Sequence, residues 1–177
     1  ERSLGRGDLP VHEPGHRTWD DAGNKILERW VDETIRDEEG KPVVVRARAY
    51  EYDARGLLTV QRSLDADGRP VAPSGFAANR WEHDLHGQTV RKAYEGLDGK
   101  PASTTGDEFR GVSSVGYEYD DYGFLVARRF ADARGRPVNS PYEAAEVRWK
   151  VDAMGRITEE REKPAPERWR TEADREA

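Results

Sequence analysis

The stretch Tyr50-Glu51-Tyr52-Asp53-Ala54-Arg55-Gly56 recurs, with small changes, four more times along the chain. Trp81-Glu82-His83-Asp84-Leu85-His86-Gly87 and Tyr117-Glu118-Tyr119-Asp120-Asp121-Tyr122-Gly123 are close copies. Arg17-Thr18-Trp19-Asp20-Asp21-Ala22-Gly23 and Trp149-Lys150-Val151-Asp152-Ala153-Met154-Gly155 are worn ones. The five glycines Gly23, Gly56, Gly87, Gly123 and Gly155 stand 33, 31, 36 and 32 residues apart. A loose period of this length marks an array of supersecondary units, so the fold must be one that repetition can build.

A second marker follows most copies: Asp37-Glu38-Glu39-Gly40-Lys41-Pro42, Asp65-Ala66-Asp67-Gly68-Arg69-Pro70, Asp132-Ala133-Arg134-Gly135-Arg136-Pro137 and the worn Gly96-Leu97-Asp98-Gly99-Lys100-Pro101. In three repeats its glycine lies 12 residues after the first, and in the first repeat 17, which implies an insertion there. Both markers have the chemistry of turns. The aspartate side chain accepts from a backbone N–H two residues on, and glycine supplies the left-handed position. Asp-x-x-Gly suits a three-residue hairpin loop built on a type I turn. The proline that follows has no N–H for a ladder and marks the end of tight pairing or an edge.

Between turns the pattern alternates. Six and four residues before the first glycine stand Tyr50 and Tyr52, Trp81 and His83, Tyr117 and Tyr119, Trp149 and Val151. Two-residue spacing puts each pair on one strand face. Three and seven residues after it stand Ile26 and Trp30, Thr59 and Ser63, Val90 and Tyr94, Val126 and Phe130, expected to share a face in the same way. Each unit therefore reads as strand, tight turn, strand, looser turn, connector.

Tyr52-Asp53-x-x-Gly56 and Tyr119-Asp120-x-x-Gly123 resemble the YD repeats of RHS-type proteins, with His83-Asp84, Trp19-Asp20 and Val151-Asp152 as degenerate copies. The likeness spans about residues 17 to 160. It implies an all-β array without catalytic function, used as an interaction or scaffold module in an exported or envelope protein of a bacterium.

Composition narrows the alternatives. The chain has 177 residues, enough for one domain, with 35% hydrophobic and 36% charged residues. Such polarity fits a thin sheet with an aromatic stripe; a disordered chain would not hold Trp, Tyr and Gly at fixed offsets. The net charge of −6 is interspersed without a basic stripe, which argues against a nucleic-acid partner. There is no cysteine, hence no disulfide and no thiolate metal site. No run of about 18 apolar residues is present, so no membrane insertion within this chain is expected. The arginine-rich basic complement points to a GC-rich bacterial genome.

These observations predict an all-β array of antiparallel hairpins, about four and a half repeats and roughly nine strands, forming a curved sheet or short β-spiral. Residues 1–16 read as an extended arm, 17–160 as the repeat domain and 161–177 as a polar helix or tail after Lys163-Pro164-Ala165-Pro166, with Trp169 packing on the last strands. Arg6-Gly7-Asp8 spells an integrin tripeptide, which chance supplies readily.

Each candidate site has a competing structural explanation. Trp19, Tyr50, Tyr52, Trp81, Tyr117, Tyr119 and Trp149 are expected to be buried together as the core. The alternative makes Trp19, Tyr50, Trp81, Tyr117 and Trp149 a ladder of glycan-stacking platforms, and the chain a carbohydrate-binding module. The motif aspartates are expected to cap turns rather than act as acids or metal ligands. Asp65-Ala66-Asp67-Gly68 begins like a calcium loop, but Phe76 stands where the closing glutamate belongs. His83 with His86, and His12 with His16, each give two ligands where zinc needs three or four. No Ser-His-Asp set, phosphate loop or nucleophile elbow is legible, so no enzyme activity, cofactor or metal is expected. A protein partner is the leading expectation and a carbohydrate the second. The acidic charge and small size also fit a neutraliser of a secreted toxin.

Overall fold

The structure, a computed structural model, describes residues 16–36, 41–106 and 109–166. The arm with Arg6-Gly7-Asp8 and His12, the turn residues 37–40 and the C-terminal stretch with Trp169 lie outside the described residues. The protein is all-β, and its ten strands form one open antiparallel sheet in chain order. They are β1 (Arg17–Trp19), β2 (Lys25–Arg36), β3 (Pro42–Tyr52), β4 (Leu58–Leu64), β5 (Ala78–His83), β6 (Thr89–Glu95), β7 (Ser114–Tyr119), β8 (Leu125–Ala131), β9 (Glu146–Val151) and β10 (Ile157–Lys163). Ten strands rather than nine form because both worn copies of the motif still close hairpins. The ring residues erode there, but Asp20 with Gly23 and Asp152 with Gly155 keep the turn chemistry.

That chemistry is the same at all five motif turns. At the second, Gly56 N–H donates to Asp53 O at 3.0 Å, and Asp53 N–H donates to Leu57 O at 2.9 Å. Asp53 Oδ1 accepts from the N–H groups of Arg55 and Leu57, at 2.9 and 3.0 Å. Asp20, Asp84, Asp120 and Asp152 accept from the corresponding pair of amides. Gly56 has φ of 78°, which a Cβ would strain. The marker at residues 96–101 shows how little of this is obligatory: Gly96 replaces the aspartate, yet Gly99 N–H still donates to Gly96 O at 3.1 Å.

Just past each motif turn the register slips. Tyr52 pairs Leu58 and Glu51 pairs Val60, so Thr59 is an extra residue, a bulge. Matching slips occur at Glu82/His83 and Glu118/Tyr119. The bulge corrects the expectation that Thr59 and Ser63, Val90 and Tyr94, and Val126 and Phe130 share a face. Alternation is interrupted at the first of each pair, and only Ser63, Tyr94 and Phe130 lie with the rings.

The sheet thus has two unlike faces. One carries Tyr50, Tyr52, Trp81, His83, Tyr94, Tyr117, Tyr119, Phe130 and Trp149. The other carries Glu51, Glu82 and Glu118 among arginines, over small residues such as Ala78 and Ala127. Arg62 pairs with Glu51, Arg91 with Glu82 at 2.8 Å, and Arg129 with Glu118 at 2.9 Å. Val60 and Ala127 are buried on this face, where long arginine stems can cover apolar surface and leave the charge in water.

The second turn of a repeat starts a hairpin and then abandons it. Pro70, Pro101 and Pro137 each make a single bridge to the preceding strand. The chain then leaves as a connector pinned twice to one residue. Val71 N–H donates to Ser63 O at 3.0 Å, and Ser63 N–H donates to Ala77 O at 3.1 Å. Tyr94 holds Ala102 and Ser113 in the same way, and Phe130 holds Val138 and Ala145. These connectors close the core over the strands beneath them. Tyr94, Val112, Val115 and Phe130 form a buried cluster, with Phe76, Phe109, Tyr117 and Val138 packed against it. The ring centroids of Phe76 and Tyr94 are 4.8 Å apart.

This placement corrects the expectation that the motif rings are buried together. Tyr50, Tyr52, Trp81, Tyr119 and Trp149 are half-buried. Trp19 is 53% exposed, and Tyr117 alone of the seven belongs to the cluster's surroundings. The sheet also runs beyond residue 160, to Lys163. Past it, Ala165 is buried, and its N–H donates to Asn139 Oδ1 at 2.7 Å.

Two glycines separate conformation from packing. Gly23 (φ +84°) has open space where a Cβ would go, whereas a Cβ on Gly155 (φ +76°) would meet Phe124 Cε1 at 2.5 Å. Gly23→Ala should cost about 1 kcal/mol from the backbone alone. Gly155→Ala should cost clearly more, unless the Phe124 ring swings away; paired urea melts measure the difference.

Candidate functional site

Adjacent hairpins are held together by the motif residues themselves. Between β4 and β5 only three residue pairs form, Val60–Arg62 against Ala78–Arg80. The same is true of β6 with β7 and β8 with β9. Toward the motif turns no further pairs form, and the residue four before Gly56, Gly87 and Gly123 crosses the gap. Tyr52 Oη–H donates to Lys25 O at 2.9 Å, and Tyr119 Oη–H donates to Thr89 O at 2.9 Å. His83 takes the tyrosine position and does the same work: its Nε2 lies 2.8 Å from Leu58 O. Each acceptor is the carbonyl two residues after the preceding motif glycine.

A second contact repeats beside the first. The side chain just after one motif glycine covers the next one. Asn24 approaches Gly56, Leu57 approaches Gly87, Gln88 approaches Gly123 and Phe124 approaches Gly155. Gln88 Nε2–H donates to Gly123 O at 2.9 Å. Arg55 Nη1–H reaches forward in the same sense to Asp84 O, at 2.5 Å.

The other set of rings, six before each glycine, makes a row. Tyr50, Trp81, Tyr117 and Trp149 stand on one face of β3, β5, β7 and β9, opposite Gln61, Lys92, Arg128 and Glu160. The register sets successive rings two strands over and two residues along, about 12 Å apart. Neighbouring cations lie against them: Lys25 over Tyr50 at 4.6 Å, Lys92 over Trp81 at 5.8 Å and Arg128 over Trp149 at 5.7 Å. Trp149 Nε1–H donates to Glu160 at 2.7 Å. Trp19 lies on the same face by register but four before its glycine, so it belongs to the junction set rather than to this row. The sequence did not separate the two sets, because two-residue spacing puts both on one face.

The acidic candidates are spent on turns. The Asp53 carboxyl is held below its ordinary value, first by the Leu57 amide and then by Arg55. Asp152 is lowered by the Arg156 amide and guanidinium, and Asp20 by the Asn24 side chain and backbone. Glu28 behaves differently. It binds Lys25 Nζ at 2.7 Å and Arg17 Nε at 2.8 Å, and accepts from Tyr50 Oη at 3.0 Å. Lys25 first, then Arg17, pull its pKa down to about 2. Among the described residues no three His, Cys, Asp or Glu side chains converge on a point that could hold a metal. Asp65 caps its own turn, accepting from the Asp67 and Arg69 amides, and Asp67 pairs with Arg69.

An open wedge of about 740 Å³ lies between the third and fourth motif turns, lined by Asp84, His86, Gln88, Tyr117, Tyr119 and Tyr122 among others. Its walls are the junction residues already described. Among the described residues no helix is long and apolar enough to cross a membrane. Comparison of the sequence with family models and with curated proteins returns no match.

The junction geometry makes a strong forecast at Val151, which occupies the tyrosine position of the last repeat but has no donor. Val151→Tyr should reach the Leu125 carbonyl and add about 1 kcal/mol, while His83→Phe should lose a similar amount. Thermal melts of both decide it; equal midpoints for both variants and wild type would remove the junction from the account. The Glu28 cluster sets a pH response. Because its folded pKa is depressed, its stabilisation is present above its ordinary value of 4.5 and fades as pH falls toward 2. Glu28→Gln should flatten that part of the stability–pH curve.

Proposed function

We propose that this chain is a non-catalytic scaffold and interaction module, a run of hairpins of the YD-repeat kind belonging to a bacterial exported or envelope protein. The observation that carries this reading is where the motif side chains are used. Tyr52, His83 and Tyr119 bind the preceding hairpin, and Asp53, Asp84 and Asp120 bind their own turns. The recurring residues maintain an architecture, and the surface left for partners is the broad charged face and the turn edge. Exposed apolar side chains at Leu85, Tyr122 and Met154 on three successive turns give that edge a protein-binding character. The role as a scaffold of an exported protein rests on fold-level analogy with the family the sequence resembles.

The second reading, a carbohydrate-binding module, is favoured by one observation: the row of Tyr50, Trp81, Tyr117 and Trp149 repeats on one face of alternate strands. The cations beside the rings and the connectors over Tyr117 work against it, because they occupy ring surface that a sugar would need.

Affinity electrophoresis through gels containing neutral and acidic polysaccharides separates the two. In the scaffold reading the wild-type chain and Trp81→Ala migrate alike in every gel, and Trp81→Ala melts lower. Retardation of the wild type that Trp81→Ala abolishes, with an unchanged melt, would replace the scaffold reading by the glycan one.

A further inference from the structure

The two outer strands of the sheet, β1 and β10, carry the two halves of one internal junction, each without its counterpart among the described residues. At every internal motif glycine the preceding hairpin places a side chain against it, but at Gly23 nothing lies within 4 Å of a would-be Cβ. At three of the four internal junctions the residue four before the glycine donates to the preceding hairpin. Trp19 holds that position in the first repeat, on an outer strand, 53% exposed and with an indole N–H able to donate. At the opposite edge Arg156 follows the last motif glycine, and Ile157, 60% exposed, offers the carbonyl that its equivalents Lys25, Leu58 and Thr89 use as acceptor.

Charge gives the two edges opposite signs on the ring face. At one edge Arg17 and Lys25 share the single carboxylate of Glu28. At the other, Glu160 and Glu162 are exposed at positions where earlier hairpins put Gln61, Lys92 and Arg128, or Ser63, Tyr94 and Phe130.

We propose that these edges bind each other between molecules: a second copy of the chain seats its β9–β10 hairpin against β1, with Ile157 O accepting from Trp19, Arg156 over Gly23, and Glu160 and Glu162 facing the Arg17–Lys25 cluster. The interface repeats the internal junction, so one copy continues the hairpin series of the next. It is heterologous, using two different patches, and the edge left open at each end adds a further copy. The proposal rests on the scaffold reading, and its readout, association, is separate from polysaccharide retardation, so either can fail alone.

Sedimentation velocity at low ionic strength tests it on the whole chain. Wild type should form an open series of dimers, trimers and larger species that grows with concentration and shrinks in salt, which screens exposed charges. Trp19→Phe, which removes only the donor, should weaken association about fivefold. Trp19→Ala should block one edge and Glu160→Lys with Glu162→Lys the other, so each variant alone is monomeric with a native melt. Mixed, the two should form a 1:1 complex and nothing larger, because each supplies the edge that the other lacks. Wild type that stays monomeric at low salt and high concentration would overturn the proposal. So would a mixture that does not associate, or Arg17 and Trp19 amides, which face outward from β1, protected from exchange in the dilute monomer, which would put the chain's own segment 1–15 on this edge.

Discussion

The structure depends on how one hairpin is tied to the next. Within a hairpin the ladder is generous: six residue pairs join β3 to β4, β5 to β6, and β7 to β8. Between the later hairpins it shrinks to three, while β2 and β3 keep seven. An isolated hairpin is marginal in water, so the array is only as stable as these junctions. At three of the four junctions a tyrosine hydroxyl, or the imidazole of His83, closes the gap where the strands have stopped pairing. Beside it, the residue after one motif glycine packs on the next glycine. The connectors close the far end of the same gap from above the sheet, since each is pinned at both ends to one ring-face residue and delivers its apolar side chains to the Tyr94–Phe130 cluster.

This division of labour explains why so polar a chain folds. There is no second layer of regular structure over either face among the described residues. The ring face is covered by irregular connectors whose backbone groups find partners on strand residues and on Asn139, which accepts from both Ala145 and Ala165. The charged face is covered by its own arginine stems and their glutamate partners. Surface ion pairs of this kind contribute little individually, and their main effect here is to keep small residues such as Ala127 dry. Stability then accumulates by repetition, as in other quasi-one-dimensional arrays.

Much of this was legible in the sequence, and the limits have physical causes. Turns are local: Asp and Gly at a fixed spacing determine their own hydrogen bonds, so the turns, the hairpins and the all-β class followed directly. Register is not local. The bulge at Thr59 and its equivalents shifts side chains between faces without altering any spacing, which is why Val90 and Tyr94 were assigned to one side. Burial is less local still. Phe76, Phe109, Val112 and Val138 lie in connectors without period, so nothing marked them as core, and the conspicuous rings took that place. Both ring sets carry hydrogen-bond donors, Tyr50 and Trp149 included, so residue type does not separate the side chains that bind the preceding hairpin from those that line the sheet.

The central claim is that the hairpins are locked in series by these donors, and native-state hydrogen exchange on Tyr119→Phe tests it most directly. Protection should fall at the β6–β7 junction, at the amides of Lys92, Tyr94 and Val115 that cross it, while the β4–β5 junction keeps its wild-type rates. A uniform loss of protection across the sheet, or no loss anywhere, would contradict a series of separately closed junctions.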